Sequence, residues 1–250
     1  MANLSNKTAF VTGASKGIGA GIAKQLAIAG ATVIVNYATS KTDADRVVAD
    51  ITAAGGKAWA VQGDFSKEDD IKRVYAEIAA KHSTLDILVN NAGVYKFSPI
   101  EELTAAEFHR HFNLNVLGLL LSTKAAIPLF PKSGASVINV GSTAGKMPVP
   151  DGAVYCGTKG AVDTISVALS KELGPRNIRV NSLNPGLTET EGTHTGGIIG
   201  SDFLPTVVNQ TPLGRAGRPD DIGHVAVFLA SDEASWLTGQ TIYASGGLTM

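Results

Sequence analysis

The stretch TAFVTGASKGIGAGIAKQLA, residues 8–27, decides the fold. It opens with a short apolar run, continues through glycines at 13, 17 and 19, and then places Ile18, Ile22 and Leu26 four residues apart. A strand-like run that changes to helical period across a glycine turn reads as strand, tight turn, helix. The same rhythm extends outward along the chain. Further strands are predicted at 32–36, 58–62, 87–90, 136–140, 179–183 and 241–243, with amphipathic helical patterns between them. Ser40 is placed to cap the helix after the second strand, and Thr104 with Glu107 reads as a capping box, flanked by Leu103 and Phe108 as its staple. The helix opened by Thr104 is expected to run to about residue 128, and a later one to stop at Gly174-Pro175. Pro219-Asp220-Asp221 opens the last helix. Strands that alternate with helices, and are continuous apolar runs themselves, imply a doubly wound α/β fold: a seven-stranded parallel sheet, Rossmann-type, covered on both faces.

Composition narrows the function classes. The 250 residues contain 44% hydrophobic and 17% charged side chains, enough to bury a large core. Lys and Arg total 21 against 22 Asp and Glu, so there is no general basic field for nucleic acid or an anionic membrane. The start, MANLSNKTAF, has no apolar stretch long enough to be expected as a signal peptide, and the most apolar internal run, 114–121, is shorter than a bilayer span and contains Asn115. A single cysteine, Cys156, suits a reducing compartment. Repeats and low-complexity blocks are absent, so residues 1–250 are expected to form one cytoplasmic domain.

In a doubly wound sheet, ligands bind beyond the carboxyl ends of the strands, near the point where strand order reverses. The loop after the first strand, Gly13-Ala14-Ser15-Lys16-Gly17-Ile18-Gly19, would aim backbone N–H groups at a pyrophosphate, although an ordinary glycine-rich turn is the alternative. Its G-x-x-x-G-x-G spacing is one residue longer than the usual dinucleotide fingerprint. At the end of the second strand, Asn36-Tyr37-Ala38-Thr39-Ser40-Lys41 offers no carboxylate to an adenosine ribose. With Lys16 and Ser40 nearby, that favours NADP(H), with NAD(H) possible. Tyr155 and Lys159 share one helix face, and Ser142 lies just past the fifth strand. An ammonium favours a phenolate and would bring its pKa down to where it can exchange a proton, while a serine hydroxyl can hold a substrate oxygen. The spacing alone is common, since Tyr37 and Lys41 share it.

Together, TGASKGIG at 12–19, Asp64-Phe65, LDILVNNAG at 85–93, Asn115 in LNVLG, Ser142, YCGTK at 155–159 and NPGLTET at 184–190 resemble the classical short-chain dehydrogenase/reductase family over essentially the whole chain. The resemblance implies that Tyr155 is the general acid/base. Lys159 lowers its pKa and binds the nicotinamide ribose, Ser142 holds the substrate oxygen, and Asn115 supports a water-linked relay to Lys159. It places Asp64 and Phe65 at the adenine, Asn91, Ala92 and Gly93 along the adenosine ribose, and Pro185, Gly186, Thr188 and Thr190 at the carboxamide. It further implies a ketone or secondary-alcohol substrate, a homotetramer joined through the Thr104 and Tyr155 helices, apolar interfaces at 117–121 and 239–250, and a substrate-covering loop at 187–212. Members of similar sequence include 3-oxoacyl thioester reductases, sugar or polyol dehydrogenases and bacterial glucose dehydrogenases. Ala244-Ser245-Gly246-Gly247 departs from the family's Val-Asp-Gly-Gly, and Asn36-Tyr37 lacks the arginine of many NADP-preferring members.

The reading is therefore an NADP(H)-dependent carbonyl reductase of 3-oxoacyl type, with a sugar or polyol dehydrogenase as its alternative. A nucleotide-sensing protein on the same fold is the non-catalytic competitor; retention of Asn115, Ser142, Tyr155 and Lys159 argues against it. A serine hydrolase is set aside on the expectation that no serine has the two flanking glycines of a G-x-S-x-G nucleophile elbow. Histidines 82, 109, 111, 194 and 224 show no metal-binding spacing, so no metal is expected, and Cys156 reads as a small buried hydrophobe.

Overall fold

The computed structural model describes residues 3–201 and 203–248. Seven parallel strands lie in the order β3-β2-β1-β4-β5-β6-β7. They are β1 (Thr8–Val11), β2 (Thr32–Tyr37), β3 (Lys57–Gln62), β4 (Ile87–Asn90), β5 (Ala135–Val140), β6 (Ile178–Pro185) and β7 (Thr241–Ala244). The helices are α1 (Gly17–Ile28), α2 (Lys41–Ala53), α3 (Glu68–Lys81), α4 (Ala105–Phe112), α5 (Leu119–Ala126), α6 (Ala153–Leu173), α7 (Glu191–Thr195), α8 (Phe203–Gln210) and α9 (Pro219–Ala230). β1 pairs Thr8 with Thr32 on one side and Ala9 with Ile87 on the other, so the winding reverses between β1 and β4.

Side chains alternate across the sheet, which gives it a core on each face. Ala9, Val11, Val33, Val35 and Val89 pack with Ile22 and Leu26 of α1, Val47 and Ile51 of α2, and Ile222 and Leu229 of α9. Phe10, Ile34, Leu88 and Val137 pack on the other face with Ile71, Val74 and Ile78 of α3 and Leu173 of α6. With both faces covered, the strands have no polar side to show, which explains their continuous apolar runs.

Several local expectations need correction. The helix after Thr104 does run to Leu129, but with internal changes of winding: α4 passes into a π-helical stretch, Asn113–Gly118, before α5 and a short 3-10 turn, Ile127–Leu129. The combined stretch from Ala105 to Leu129 is as long and apolar as a bilayer span, yet α5 lies against α3 and β4 as a sheet-covering helix. Thr104 accepts from the Glu107 N–H at 3.1 Å, but the Glu107 carboxylate turns to Arg110, so only half the capping box forms. Leu103 and Phe108 stay exposed, and Phe108 stacks on Phe112 instead. Ser40 makes no side-chain cap bond to α2. α6 stops at Gly174 as expected, but Gly174 keeps a right-handed φ of -53°, and the left-handed residue is Asn177, with a φ of 57° after a 3-10 turn.

Phe10 is fully buried, with the Phe65 ring centroid at 5.8 Å and that of Tyr75 at 5.5 Å. Phe10→Ala is expected to lower unfolding free energy by about 3–5 kcal/mol, read from denaturant midpoints at unchanged m value. A loss below about 1 kcal/mol would mean that this face of the core closes over the cavity.

Candidate active site

Where β1 ends, the backbone groups of the glycine turn lose their strand partners and take side chains instead. The Thr12 hydroxyl oxygen accepts from the N–H groups of Asn91 (2.9 Å) and Ala92 (3.0 Å), just past β4. In return the Asn91 amide donates to the carbonyls of Thr12 (2.9 Å) and Gly13 (3.0 Å). The two strand ends at the winding reversal are thus laced together. Gly13 has a φ of +62°, and a Cβ there would lie 2.9 Å from the Ala92 Cα, so both conformation and space call for glycine. Lys16 stands exposed as the last extended residue before α1, whose N-terminal N–H groups open toward the turn. One of these is engaged: Gly17 N–H donates to the Glu191 carboxylate of α7 at 3.0 Å.

Asn36 lies beneath the turn rather than beside a ligand. It is buried, its Oδ1 accepts from Gly13 N–H at 3.0 Å, and its amide donates to the carbonyls of Val61 and Gly63. Its side chain therefore shapes the turn and has little left to offer a cofactor. Phe65 is likewise core, packed on Phe10. Asp64 is held by the Ser66 hydroxyl and Lys67 near the end of β3, and Ser40 sits half-buried at the start of α2. Ser15 is 7% exposed. Gly13-Ala14-Ser15-Lys16-Gly17 does have the G-x-S-x-G spacing, so spacing cannot dismiss a hydrolase. The missing partner does: no histidine bonds Ser15 among the described residues.

A cleft of about 710 Å³ runs from Ile18, Asn91 and Gly93 past Ser142, Tyr155 and Lys159 to Pro185, Gly186, Thr188 and Thr190. Ser142 follows β5, with its Oγ accepting from Ala144 N–H at 3.2 Å. Tyr155 and Lys159 lie in the first two turns of α6, and the Lys159 ammonium stands 5.8 Å from the Tyr155 ring centre while donating to the Val140 carbonyl at 2.9 Å. Asn115, in the π-helical stretch, is buried; it accepts from Val94 N–H and donates to the Val94 carbonyl and the Thr158 hydroxyl. Thr158 in turn donates to the Tyr155 carbonyl, so Asn115 ties the strand β4 exit to the helix carrying Tyr155.

The electrostatics differ from the expected lowering of the tyrosine by its lysine. Burial pushes the Tyr155 phenol above its ordinary value, and hydrogen bonding with Ser142 offsets only part of this. Burial also pushes Lys159 down to about 8, with Asp163 opposing. Desolvation dominates both groups. Tyr95 and Phe97, in a segment (94–99) that the sequence reading expects to help choose the substrate but without naming either residue, stand 6.1 and 5.7 Å from the Tyr155 ring. Thr12 and Glu191 were also missed, since nothing local marks a strand-end threonine or a helix-start glutamate as lacing the turn. Cys156 is buried and unpaired, and no cluster that could hold a metal occurs among the described residues.

A glycine turn at the winding reversal, opening into a cleft with a serine, tyrosine and lysine together, defines a dinucleotide-type α/β oxidoreductase architecture. A family model described as enoyl-(acyl carrier protein) reductase matches residues 13–249. An uncharacterized oxidoreductase of Methylorubrum extorquens is 54% identical over 99% of this chain and 100% of its own. The 3-oxoacyl-[acyl-carrier-protein] reductase FabG of Staphylococcus epidermidis is 38% identical over 98% and 100%. Among solved structures, a short-chain dehydrogenase/reductase from Serratia marcescens superposes with a TM-score of 0.92 at 32% identity, covering 99% of both chains. The angucycline C-6 ketoreductase LanV with bound NADP gives 0.91 at 35%, covering 99% and 97%. The chain belongs to the short-chain dehydrogenase/reductase family and is an oxidoreductase acting on CH–OH/C=O groups.

The low value at Lys159 has a measurable consequence. Below pH 8 the folded and unfolded chains both hold the proton, and the buried charge weighs on the fold in full. Between about 8 and the ordinary 10.5 the folded chain has released it and the unfolded chain has not. Stability should therefore rise with pH across that window, by about 2 kcal/mol between pH 8 and 10. Lys159→Met should be more stable at pH 7 and lack this rise in paired denaturation curves. Parallel curves for the two proteins would contradict the assignment.

Proposed function

We propose that this chain is a carbonyl reductase that uses NADP(H). The observation that carries the reading is the meeting of Ser142, Tyr155 and Lys159 in one cleft that is continuous with the laced glycine turn. The turn suits a dinucleotide by shape: Gly13 and Gly17 adopt positive φ, and a Cβ on Gly13 would strike Ala92. Gly13, Gly17, Ile18 and Gly19 would bring backbone to the pyrophosphate, Ser15 would support the turn, and Asp64, Asn91, Ala92 and Gly93 would flank the adenosine. Pro185, Gly186, Thr188 and Thr190, lining the far side of the cleft, would hold the carboxamide. Support for the phosphorylated form comes from the exposed cation of Lys16 in the glycine turn and from the absence of any carboxylate at 36–41. LanV, similar over nearly the whole chain, was solved with NADP. NAD(H) remains the second candidate.

When bound, the nicotinamide supplies the hydride for the carbonyl carbon. Ser142 donates to the carbonyl oxygen as charge develops there. Tyr155, whose raised pKa keeps it protonated near neutrality, gives that oxygen its proton and completes the secondary alcohol. Lys159 keeps a positive charge beneath the phenol below pH 8 and so stabilises the phenolate left behind. Asn115 fixes the helix that carries both. Tyr155→Phe should reduce kcat by at least about a thousandfold while NADPH still binds by fluorescence titration. Retained turnover would remove the mechanism.

The segment 187–212 is proposed to cover substrate, with α7 and α8 as its rigid parts. We propose cytoplasmic homotetramers as the working form. Phe108 and Leu117, exposed on the stretch that follows Thr104, supply an apolar face for one interface. The segment 239–250, of which 249 and 250 lie outside the described residues, would supply another. Light scattering should give four times 25.8 kDa; a monomer mass would exclude this assembly.

A further inference from the structure

The chemistry of the cleft walls points to the kind of carbonyl compound that fits. Among the described residues, Lys159 is the single charged side chain in the lining. The polar groups around it are mostly turned into the protein. Thr188 donates to the Gly186 carbonyl, Thr190 and Thr193 cap one another at the start of α7, Asn91 laces the glycine turn, and the Tyr95 hydroxyl donates to the Gly192 carbonyl at 2.9 Å. A substrate with several hydroxyls would leave them unpaired here, each at a desolvation cost. A carboxylate or phosphate beyond the reacting carbonyl would find no guanidinium in the described lining.

The apolar groups are arranged to receive a ring. Tyr95 and Phe97 lie 6.1 Å apart at 46°, and each meets Tyr155 edge-on, at 63° and 72°. Both rings are about two-fifths exposed, 39% and 41%, so they present open faces beside the reacting phenol. Tyr95 is held by its bond to Gly192, so this aromatic corner is braced against α7. Met147, Val149, Ile198 and Val207 complete the apolar surround. Aromatic pairs in tilted geometry attract beyond the area they bury.

Resting on the carbonyl-reductase reading, we infer that the substrate is an uncharged, ring-bearing ketone, aryl or fused-ring, seated against Phe97 and Tyr95. Phe97 is the residue that sets this preference. The carbonyl carbon gains the hydride, its oxygen gains the Tyr155 proton, and the ketone becomes a secondary alcohol with the ring unchanged. Apolar acyl thioesters and keto sugars are the competing classes.

The test measures kcat/KM with NADPH for 2-tetralone, acetoacetyl-CoA, fructose and 2,3-butanedione, the last as a small carbonyl reference. The wild-type protein should favour 2-tetralone over the thioester and the sugar by at least about tenfold. Phe97→Ala should lower the 2-tetralone to butanedione ratio by at least about tenfold, and Phe97→Trp should restore it to within about threefold. Tyr95→Ala provides a second reading of the same corner should Phe97→Ala fold poorly. A leading thioester or sugar, or ratios unmoved in both alanine variants, overturns the ring-ketone inference alone if Tyr155→Phe still abolishes butanedione turnover. No turnover of any carbonyl compound, or turnover that survives Tyr155→Phe, overturns the carbonyl-reductase reading and this inference with it.

Discussion

The structure depends on how the backbone of a glycine turn is satisfied where β1 stops. A turn that must leave N–H groups facing a ligand cannot use the hydrogen bonds of a strand or of a closed helix. Here the deficit is met from three directions: Thr12 on its own strand, Asn91 past β4, and Asn36 from below on β2. Each amide or hydroxyl bonds backbone atoms of at least one other strand or turn, so the two halves of the winding are joined at the place where the sheet separates. The cleft exists because the crossovers diverge there; it keeps its shape because these side chains do not let it open further. A substitution at Asn36 would therefore act first on the turn and only through it on anything bound.

A second constraint runs through α6. Placing a phenol and an ammonium where water is largely excluded raises one pKa and lowers the other. The fold answers with polar anchoring on both sides of the pair. Lys159 donates to the end of β5, and Asp163, one turn on, accepts from Ser182 and Asn184 of β6. Asn115 and Thr158 brace the opposite flank. The result is a site assembled from four strand ends and two helices, with its polar groups fixed before any ligand arrives.

Most of this architecture was legible from the chain because the period of apolar residues and the glycine turn are local signals. Strand positions 8–11 and 87–90 coincide with β1 and β4, and the other strands differ only at their ends. The constellation of Ser142, Tyr155 and Lys159 was also visible, since each falls directly after a strand or at a helix start. What escaped were properties that depend on contact. Asn36 and Phe65 carry motif positions but face inward, and motif position does not state which way a side chain points. Gly174 does end α6, but the left-handed residue falls at Asn177, after a 3-10 turn, where asparagine tolerates that conformation. The sign of the shift at Tyr155 depends on how much water the fold removes, which no spacing between residues encodes.

The bond between Gly17 and Glu191 links two parts of the chain that are 174 positions apart. Glu191 is the first residue of α7, so the carboxylate that quiets the positive end of α1 is rigidly attached to the wall of the cleft. An anion drawn to that helix end meets a negative group already there, and repulsion between them favours outward movement of α7. One hydrogen bond thus ties the start of α1, beside the glycine turn, to the helix that borders the far wall of the cleft.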